Sequence, residues 1–271
     1  KGGFVSVPPC FCARLLGIPV YTHECDFTPG LATRINSRSA SKILVSYAET
    51  KNFFSKKNQE KIIVTGNPVR PVFFETDKKI GLDFLQINKE KLSKPVLLVL
   101  GGSSGSKQIN DLVAENIEWL TERFLVVHQT GIYLPASISQ EKLSDSVGQS
   151  YKPYKFIYEQ MPHVIACADI ILSRAGSNSL WECAVLSRPM VLIPLCGKAT
   201  RGDQVDNALY FEKNGAAVTL NGADADSLHL RNALEFMAEK ENRVHFGGRL
   251  GTYRYMDMDQ VIAQALEDAH L

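Results

Sequence analysis

The sequence lacks the features that would place it in a specialised class of proteins. Its 271 residues contain no run approaching the ~18 apolar residues that a membrane-spanning helix needs, so we expect a soluble protein, at most peripheral to a membrane. The net charge is only +1, which argues against binding of nucleic acid through its phosphate backbone. None of the six cysteines forms the CxxC pair of a zinc or redox site, so we interpret them mostly as small buried side chains.

Short apolar runs alternate with amphipathic stretches along most of the chain. The runs predicted to be strands are Pro19–Thr22, Ile43–Val45, Ile62–Thr65, Val96–Leu100, Phe124–His128, Tyr154–Ile157, Ile170–Leu172, Met190–Ile193 and Ala216–Thr219. Helical patterns between them include Lys107–Leu120, Ser177–Leu186 and Gln204–Lys213. Apolar strands separated by helices are typical of parallel sheets covered on both faces. The sequence therefore predicts an α/β fold with parallel sheets.

One segment, GNPVRPVFFETDKK from Gly66 to Lys79, interrupts this alternation. Its prolines, its glycine and its charged end mark the boundary of a folded unit, and a strongly apolar strand begins at Pro95. We therefore predict an N-terminal α/β unit over residues 1–70 and a larger α/β domain over residues 71–250. A lone amphipathic helix is predicted over residues 251–271, and it can pack on either domain.

The stretch LVLGGSSGSKQIN, from Leu98 to Asn110, has the pattern of a strand, a glycine turn and a helix. Glycines let backbone N–H groups approach a ligand closely, and the start of a helix favours anions. The stretch is not a GxGxxG fingerprint, which would need glycine at Ser103, and GxxxxGK does not fit around Lys107. A tight turn with serine caps explains it about equally well.

A second stretch, SRAGSNSLWE from Ser173 to Glu182, repeats this pattern, with Arg174 at its helix start. Ser177 and Asn178 are good helix caps, and capping alone explains them. Glu182 lies among apolar residues, where a carboxylate costs free energy unless it is paired, and ribose hydroxyls are suitable partners. Because the carboxyl ends of parallel strands share one edge, the two helix starts together predict a nucleotide site.

The stretch GKATRGDQVDNA follows another predicted strand. Gln204 and Asn207 are three residues apart on one helix face, and amide side chains at that position suit a sugar with several hydroxyls. Asp203, beside them, is equally well explained as a helix cap.

The stretch YTHECDFTPG also ends a strand. His23, Glu24 and Asp26 offer either a general base or a hydrogen-bonding cluster. A lone His–Glu pair is usually structural, and the spacing of His23 and Cys25 gives no set of metal ligands.

The sequence resembles the MurG-type glycosyltransferases in motifs that occur in the same order: GGFVSVP, LGIPVYTHE, PGLA, GNPVR, LGGSSGS, HQTG, ADIILSRAGSNSLWE, RPMVLIPL and DQVDNA. These bacterial enzymes add N-acetylglucosamine to undecaprenyl-pyrophosphoryl-muramoyl-pentapeptide, the step from lipid I to lipid II in peptidoglycan synthesis. The resemblance covers essentially the whole chain. It implies a GT-B fold of two Rossmann-like domains, the N-terminal one incomplete, with UDP-N-acetylglucosamine held mainly by the C-terminal one.

The resemblance also implies donor-binding roles for individual residues. The expected contacts are Ser103 with the diphosphate or sugar, Ser177, Asn178 and Ser179 with the diphosphate, Glu182 with the ribose, Gln204 and Asn207 with the N-acetylglucosamine, Asp26 with the sugar, Ile157 and Tyr158 with uracil through backbone groups, and Arg70 near the donor at the interdomain cleft. The implied reaction inverts the anomeric centre by direct attack of the acceptor hydroxyl, with no covalent intermediate, no metal and no cofactor.

The resemblance implies as partners UDP-N-acetylglucosamine, an undecaprenyl-linked acceptor and an anionic membrane surface, with no nucleic acid. The protein is then expected to be peripheral at the cytoplasmic face of the bacterial membrane. Four basic residues, Arg14, Arg34, Arg38 and Lys42, offer a patch toward anionic lipid, although a solvated helix face explains each of them as well.

Two departures from the family pattern stand out. Many members have HEQN where this chain has HECD, so Asp26 replaces the sugar-facing asparagine. The family's first strand and its glycine-rich loop with a histidine have no counterpart here. The catalytic base is expected either in that missing segment or at His23. If it lies in the missing segment, this chain as given is expected to be inactive. The alternatives are an enzyme like UDP-N-acetylglucosamine 2-epimerase and a non-catalytic fragment that binds a UDP-sugar.

Overall fold

The structure is a computed structural model, and it describes residues 3–88, 90, 92–102, 105–138, 144–197 and 200–239. The chain divides between Arg70 and Pro71 into two compact units, which we call the N-terminal unit and the C-terminal unit. This division falls inside the segment from Gly66 to Lys79 that interrupts the strand–helix alternation. The helix predicted over residues 251–271 lies outside the described residues.

The N-terminal unit is built on a three-stranded parallel sheet in the order β1-β2-β3. Its elements in chain order are α1 (Val7–Leu15), β1 (Tyr21–Glu24), α2 (Leu31–Asn36), β2 (Lys42–Val45), α3 (Lys56–Gln59) and β3 (Ile62–Val64). Its small apolar core is formed by Val20, Ala40, Ile43, Val45 and Phe54. Helix α1, which is described over its whole length, has no buried residue.

The C-terminal unit is built on a six-stranded parallel sheet in the order β6-β5-β4-β7-β8-β9. Its strands are β4 (Val96–Leu100), β5 (Leu125–Gln129), β6 (Tyr151–Tyr154), β7 (Ile170–Ser173), β8 (Met190–Leu192) and β9 (Ala217–Thr219). Every residue of β4, β5, β7 and β8 is buried, because helices cover both faces of a parallel sheet. The α/β fold with parallel sheets is confirmed.

Eight helices of the C-terminal unit are described. They are α4 (Lys78–Phe84), α5 (Lys107–Glu115), α6 (Ile117–Arg123), α7 (Asp145–Ser150), α8 (Met161–Cys167), α9 (Ser177–Val185), α10 (Asp203–Lys213) and α11 (Ser227–Ala238). Side chains from α5, α6 and α11 join those of the central strands in one large apolar core. Across the described part of both units, no helix is long and apolar enough to cross a membrane.

The position of β6 differs from the prediction. We expected a strand over Tyr154–Ile157, but the strand spans Tyr151–Tyr154. Pro153 lies inside this strand and is paired with His128 of β5. Proline cannot donate a hydrogen bond to a neighbouring strand, so it is tolerated mainly at the edge of a sheet. Since β6 is an edge strand, Pro153 needs no partner on its outer side.

The helix predicted over Lys107–Leu120 is divided into α5 and α6. Asn116 stands between them with φ −114° and ψ 12°, outside the helical region. Its buried side-chain amide donates to the Leu112 carbonyl and to the Ser227 hydroxyl, both at 2.8 Å. The break therefore lets Asn116 join the start of α11 to the end of α5.

Only one cysteine is buried, contrary to the prediction. Cys183 on α9 is buried, whereas Cys12 and Cys196 are exposed and the other three are intermediate. Cys12 lies on α1, which buries no residue, and Cys196 lies in the loop after β8. Apolar neighbours in the sequence do not ensure burial where the whole element is exposed.

Helices α4 and α8 pack at very short distance through Gly81. A Cβ atom placed on Gly81 would lie 2.4 Å from the carbonyl oxygen of His163 and 2.6 Å from the sulfur of Cys167. The Cys167 thiol donates to the Lys78 carbonyl at 3.1 Å, and burial raises its pKa to about 11. Glycine at position 81 is therefore required by the packing of the two helices and not by its backbone conformation.

Candidate functional site

The sheet of the C-terminal unit has a point where the chain changes direction. The chain runs outward from β4 through β5 to β6, and then returns to the other side of β4 to form β7, β8 and β9. This is the strand order of the Rossmann fold, in which ligands bind outside the carboxyl ends of the two central strands. Those strands are β4 and β7, which end side by side with Leu100 paired to Ser173.

The turn after β4 is compact and rich in glycine. A Cβ atom on Gly101 would lie 2.4 Å from the backbone nitrogen of Ser106, so the turn closes tightly on itself. Gly102 and Gly105 have φ of +86° and +84°, values that favour glycine. The hydroxyl of Ser106 accepts from Ile109 N at 3.3 Å and caps α5. Ser103, predicted to contact the donor, lies outside the described residues.

The turn after β7 leads into α9 without a side-chain cap. Gly176 occupies the capping position, and no side chain there bonds to the helix. The interpretation of Ser177 and Asn178 as caps is therefore wrong, since both lie inside the first turn of α9. A helix start leaves its first N–H groups without partners inside the helix, and these groups attract anions.

A cavity of about 410 Å³ lies where the two turns meet. It is lined by Gly101, Gly102, Gly105, Ser173, Arg174, Gly176, Ser177, Asn178, Ser179 and Gln204. Four of the residues predicted to bind the donor therefore come together, namely Ser177, Asn178, Ser179 and Gln204. The start of α9 and the glycine turn that leads into α5 share one polar cavity, at the edge where α/β folds bind ligands.

Arg174 is the one basic side chain among the described residues that line the cavity. Its Nη1 donates to Gln108 Oε1 at 2.9 Å and to the Ile193 carbonyl at 3.0 Å. Partial burial lowers the pKa of the guanidinium, yet arginine stays charged at neutral pH. Arg174 therefore supplies a fixed positive charge at the start of α9. The sequence pattern placed Arg174 at the helix start but predicted no role for it.

The two amide side chains of α10 have different surroundings. Gln204 lines the cavity, and its Oε1 accepts from Leu195 N at 2.9 Å, which leaves its amide nitrogen as the group to donate to a ligand. Asn207 is fully buried and donates to the Ala175 carbonyl at 3.3 Å, so it supports the turn after β7. Helix α10 begins at Asp203 after Gly202, so Asp203 is not its cap.

Besides Asn207, three predicted donor residues of the C-terminal unit lie outside the described lining of the cavity. Glu182 is half-buried on α9, further along the helix that starts at the cavity. The backbone N–H of Ile157 donates to Gln129 Oε1 at 2.9 Å, so this donor is engaged within the protein. Tyr158 is 72% exposed.

Three candidates of the N-terminal unit, His23, Glu24 and Asp26, lie at the end of β1 or just after it, and Arg70 follows β3. His23 and Glu24 point to opposite faces, because β1 alternates between half-exposed and buried residues. The ring nitrogen Nε2 of His23 lies 3.1 Å from the Gly66 carbonyl, which can only accept, so Nε2 carries the proton and Nδ1 is the basic nitrogen. Asp26 is half-buried and Arg70 is exposed.

Glu24 organises the loop that follows β1. Its two carboxylate oxygens accept from Asp26 N at 3.2 Å and from Gly30 N at 3.0 Å. Possible metal-ligand atoms of Glu24, Cys25 and Asp26 lie within 4.8 Å of one another, the one such group in the described part of the chain. Since Glu24 already binds two backbone N–H groups, this group is better explained as a loop support.

A buried polar network lies behind the cavity. His128 is fully buried, with Nδ1 2.9 Å from the Tyr151 hydroxyl and Nε2 3.1 Å from Asn110 Oδ1. Asn110 Oδ1 can only accept, so Nε2 of His128 carries the proton and Nδ1 accepts from Tyr151. Burial lowers the pKa of His128 to about 3 and raises that of Tyr151. His128 begins the motif HQTG and Asn110 ends the stretch LVLGGSSGSKQIN, but nothing in the sequence indicated that these two residues are in contact.

The neutral state of His128 predicts a loss of stability in acid. Its pKa is about 3 when folded and about 6.5 when unfolded, so below pH 6.5 the unfolded chain binds a proton that the folded chain does not. The free energy of unfolding should therefore fall by about 2 kcal/mol between pH 7 and pH 5 from this group alone. Urea denaturation followed by tryptophan fluorescence measures it, since Trp119 and Trp181 both lie in the C-terminal unit.

The matched variants for this test are His128→Gln and His229→Gln. His229 is exposed, and its Nδ1 lies 2.9 Å from Asp226. We expect His128→Gln to remove most of this pH dependence, whereas His229→Gln keeps it. An unchanged slope in His128→Gln would show that another group causes the acid sensitivity.

Two units on parallel sheets, with a polar cavity at the switch point of the larger sheet, define the GT-B class of fold. Within this class, the chain belongs to glycosyltransferase family 28. Residues 96–247 match the C-terminal domain of that family and residues 1–45 match its N-terminal domain. The resemblance seen in the motifs is confirmed.

Curated relatives agree with this family. A Treponema denticola protein named UDP-N-acetylglucosamine–N-acetylmuramyl-(pentapeptide) pyrophosphoryl-undecaprenol N-acetylglucosamine transferase is 49% identical over 232 residues, which cover 83% of this chain and 58% of that protein. A Clostridium botulinum protein of the same name is 37% identical over 270 residues, which cover 99% of this chain and 72% of that protein. The chain thus spans little more than half the length of the Treponema relative.

Solved structures show the same fold. MurG from Acinetobacter baumannii aligns with a TM-score of 0.76 at 24% identity, over 98% of this chain and 73% of that chain. UDP-GlcNAc 2-epimerase from Neisseria meningitidis, solved with UDP-GlcNAc bound, aligns with a TM-score of 0.58 at 16% identity, over 97% and 73%. At these identities the likeness shows the fold alone.

Proposed function

We propose that this protein transfers N-acetylglucosamine from UDP-N-acetylglucosamine to an undecaprenyl-pyrophosphoryl-linked N-acetylmuramyl pentapeptide. The observation that carries the proposal is the cavity at the switch point, in a chain whose relatives are named for this transfer. The C-terminal unit then binds the donor, and the N-terminal unit contributes to binding of the acceptor.

The cavity suits a diphosphate. The start of α9, with the positive end of its helix dipole, faces it, and the glycine turn that leads into α5 lines its other side. Arg174 adds a full positive charge, while Ser177 and Ser179 add hydroxyl donors. Charge develops on the leaving UDP as its bond to the sugar breaks, and fixed donors stabilise that charge without rearranging. The first turn of α9 and Arg174 are thus suited to the departure of UDP.

The remaining parts of the donor are assigned to residues around the cavity. Gln204 at the edge of the cavity donates from its amide nitrogen to a sugar hydroxyl, and Asn207 acts by holding the turn at Ala175. Glu182 accepts from the ribose hydroxyls. The stretch at Ile157 and Tyr158 reads uracil, with the N–H of Ile157 engaged by Gln129.

The proposed reaction is a single displacement. The acceptor hydroxyl oxygen forms a bond to the anomeric carbon while the bond from that carbon to the β-phosphate oxygen of UDP breaks. The anomeric centre is inverted, and the hydroxyl proton goes to a general base. Among the described residues we assign this role to His23, whose Nδ1 is the basic nitrogen because Nε2 faces the Gly66 carbonyl.

The proposal is tested by product analysis with this chain. Radiolabelled UDP-N-acetylglucosamine is incubated with and without a short-chain polyprenyl-pyrophosphoryl N-acetylmuramyl pentapeptide. We expect labelled disaccharide product and UDP only when the acceptor is present. Formation of UDP-N-acetylmannosamine without acceptor would instead indicate a 2-epimerase, and UDP binding by calorimetry without turnover would indicate a fragment that only binds the donor.

Replacing Glu182 by alanine tests the assignment of the ribose. A hydrogen bond to a carboxylate contributes about 1.5–3 kcal/mol, so we expect the affinity for UDP to fall about 10-fold to 100-fold. The affinity for 2′,3′-dideoxy-UDP should be the same in both proteins, because this ligand lacks the hydroxyls. Isothermal calorimetry measures both, with Glu118→Ala on the exposed side of α6 as control. An equal loss for both ligands would contradict the ribose contact.

We propose further that the protein is peripheral at the cytoplasmic face of the bacterial membrane, on anionic lipid. The proposed acceptor is anchored in the bilayer by its undecaprenyl chain. Helix α1 exposes Phe11 and Leu15, at 56% and 70%, and Arg34 and Arg38 are exposed on or just after α2. Apolar and basic side chains together favour binding to an anionic surface.

Co-sedimentation with vesicles tests this surface. The double variant Phe11→Ser, Leu15→Ser should bind vesicles of about 30 mol% phosphatidylglycerol at least about fivefold more weakly, and salt should weaken the wild type. The control is Leu228→Ser, which changes a 65% exposed leucine of the C-terminal unit. Equal binding by all three proteins would exclude α1 as the contact.

A further inference from the structure

We infer that Asn110 is a positioning residue that fixes the glycine turn of the donor cavity, although it does not line that cavity. The inference rests on the proposed function, because it concerns the site where UDP is proposed to bind. Asn110 is fully buried on α5, four positions after the cap at Ser106. Its effect reaches the cavity through one backbone carbonyl.

The first contact joins Asn110 to the loop after β5. Its side-chain amide donates to the Thr130 carbonyl at 2.8 Å and also to the Tyr133 carbonyl. The loop is held from its other side by backbone bonds from Thr130 N to Tyr154 O at 2.9 Å and from Gly131 N to Lys155 O at 3.0 Å. Asn110 therefore sets where the Thr130 carbonyl lies relative to α5.

The second contact joins that carbonyl to the cavity. A Cβ atom on Gly105 would lie only 2.2 Å from the Thr130 oxygen and 3.0 Å from the Cα of Gly131. Gly105 thus packs directly on the same carbonyl that Asn110 holds, and Gly105 lines the cavity. A shift of the Thr130 carbonyl must move the glycine turn or open a gap beneath it.

His128 fixes the orientation of the Asn110 amide. Its Nε2–H donates to Asn110 Oδ1 at 3.1 Å, so the nitrogen of the amide must face the two carbonyls. Tyr151 in turn donates to Nδ1 of His128 at 2.9 Å. Each of these buried groups thus has a partner, and such satisfied networks specify one arrangement. A rotated amide would place an oxygen against two carbonyl oxygens.

The chain offers a matched control for a purely structural effect. Asn116 is also a buried asparagine, 1% exposed, at the other end of α5. Its amide donates at 2.8 Å to Leu112 and Ser227, and its oxygen accepts from Arg231 at 2.7 Å. None of these three partners is among the described residues that line the cavity. Both asparagines stabilise the fold, but only Asn110 reaches the glycine turn.

The experiment compares Asn110→Ala with Asn116→Ala. Both variants should unfold at lower temperature than the wild type. At a temperature where all three are folded, Asn110→Ala should bind UDP at least about tenfold more weakly and raise the KM for the donor, because small displacements in a preorganised site have large effects. Asn116→Ala should bind UDP within about twofold of the wild type. Equal UDP binding by folded Asn110→Ala and wild type would overturn the inference.

A second variant and a second measurement cover the other outcomes. If Asn110→Ala does not fold, Asn110→Asp serves, since it keeps the size and the acceptor for His128 but loses the amide donor. Amide hydrogen exchange at Gly105 and Ser106, without ligand, should be faster in this variant and unchanged in Asn116→Ala. If the wild type does not bind UDP, the proposed function fails, and this exchange still decides the inference. Unchanged exchange in the Asn110 variants would refute it.

Discussion

Replacing Gly105 by alanine is expected to abolish most donor binding. The residue has φ +84°, and its new Cβ would lie 2.2 Å from the Thr130 carbonyl oxygen. A left-handed conformation costs a non-glycine residue about 1–2 kcal/mol, and the overlap with backbone cannot be relieved by a side-chain rotation. The glycine turn must therefore move. We expect the affinity for UDP to fall by at least about tenfold, equivalent to ~1.4 kcal/mol, with the melting temperature lowered as well.

Gly222→Ala separates the two causes of this effect. Gly222 has φ +59°, and a Cβ atom there would meet nothing within 4 Å. It should therefore show the cost of the left-handed conformation alone, about 1–2 kcal/mol of stability, and leave UDP binding unchanged. Calorimetry with UDP and thermal unfolding of both variants decide between the causes. Equal UDP binding by Gly105→Ala and Gly222→Ala would show that the turn tolerates displacement, and it would argue against the proposed phosphate site.

Replacing Gly81 by alanine is expected to give the largest loss of stability in the C-terminal unit away from the cavity. The added methyl group would lie 2.4 Å from the His163 carbonyl oxygen and 2.7 Å from its carbon. Helices α4 and α8 must separate to accommodate it, and overpacking of this kind costs about 1–3 kcal/mol, occasionally more. A loss of about 3 kcal/mol lowers the melting temperature by about 6–12 °C in a domain of this size.

Gly148→Ala is the matched control for Gly81→Ala. Gly148 is an exposed residue inside α7, and a Cβ atom there would meet nothing within 4 Å. Alanine is favoured over glycine inside a helix by up to about 1 kcal/mol, so this variant should be slightly more stable than the wild type. Thermal unfolding followed by tryptophan fluorescence measures both. A similar effect of the two substitutions would show that the contact between α4 and α8 is not as tight as described.

The fold was predictable from the sequence because strands buried on both faces are continuous apolar runs. Val96–Leu100 and Ile170–Ser173 form the centre of the sheet, and hydrophobicity alone indicated both. Strand β6 was misplaced because Pro153 argues against a strand at that position. Proline is tolerated in an edge strand, but the sequence alone does not show which strand lies at the edge of the sheet. The break at Asn116 was missed for the same reason, since its partner Ser227 is 111 residues away.

The candidate site was only partly predictable. The two helix starts could be placed at one edge of the sheet because parallel strands share a direction, and the cavity brings Ser177, Asn178, Ser179 and Gln204 together. The alternative explanation of Ser177 as a helix cap is wrong, because the capping position of α9 is one residue earlier, at Gly176. Contacts between distant segments gave no local signal, as with His128 and Asn110.

The carboxyl end of β5 connects the two parts of the proposed donor site. Gln129 holds the stretch proposed to read uracil through Ile157 N, and its neighbours His128 and Thr130 are tied through Asn110 to the turn proposed to hold the phosphates. Three consecutive residues of one chain segment thus join the two parts of the proposed site. A displacement of this segment would therefore alter both parts of the proposed site at once.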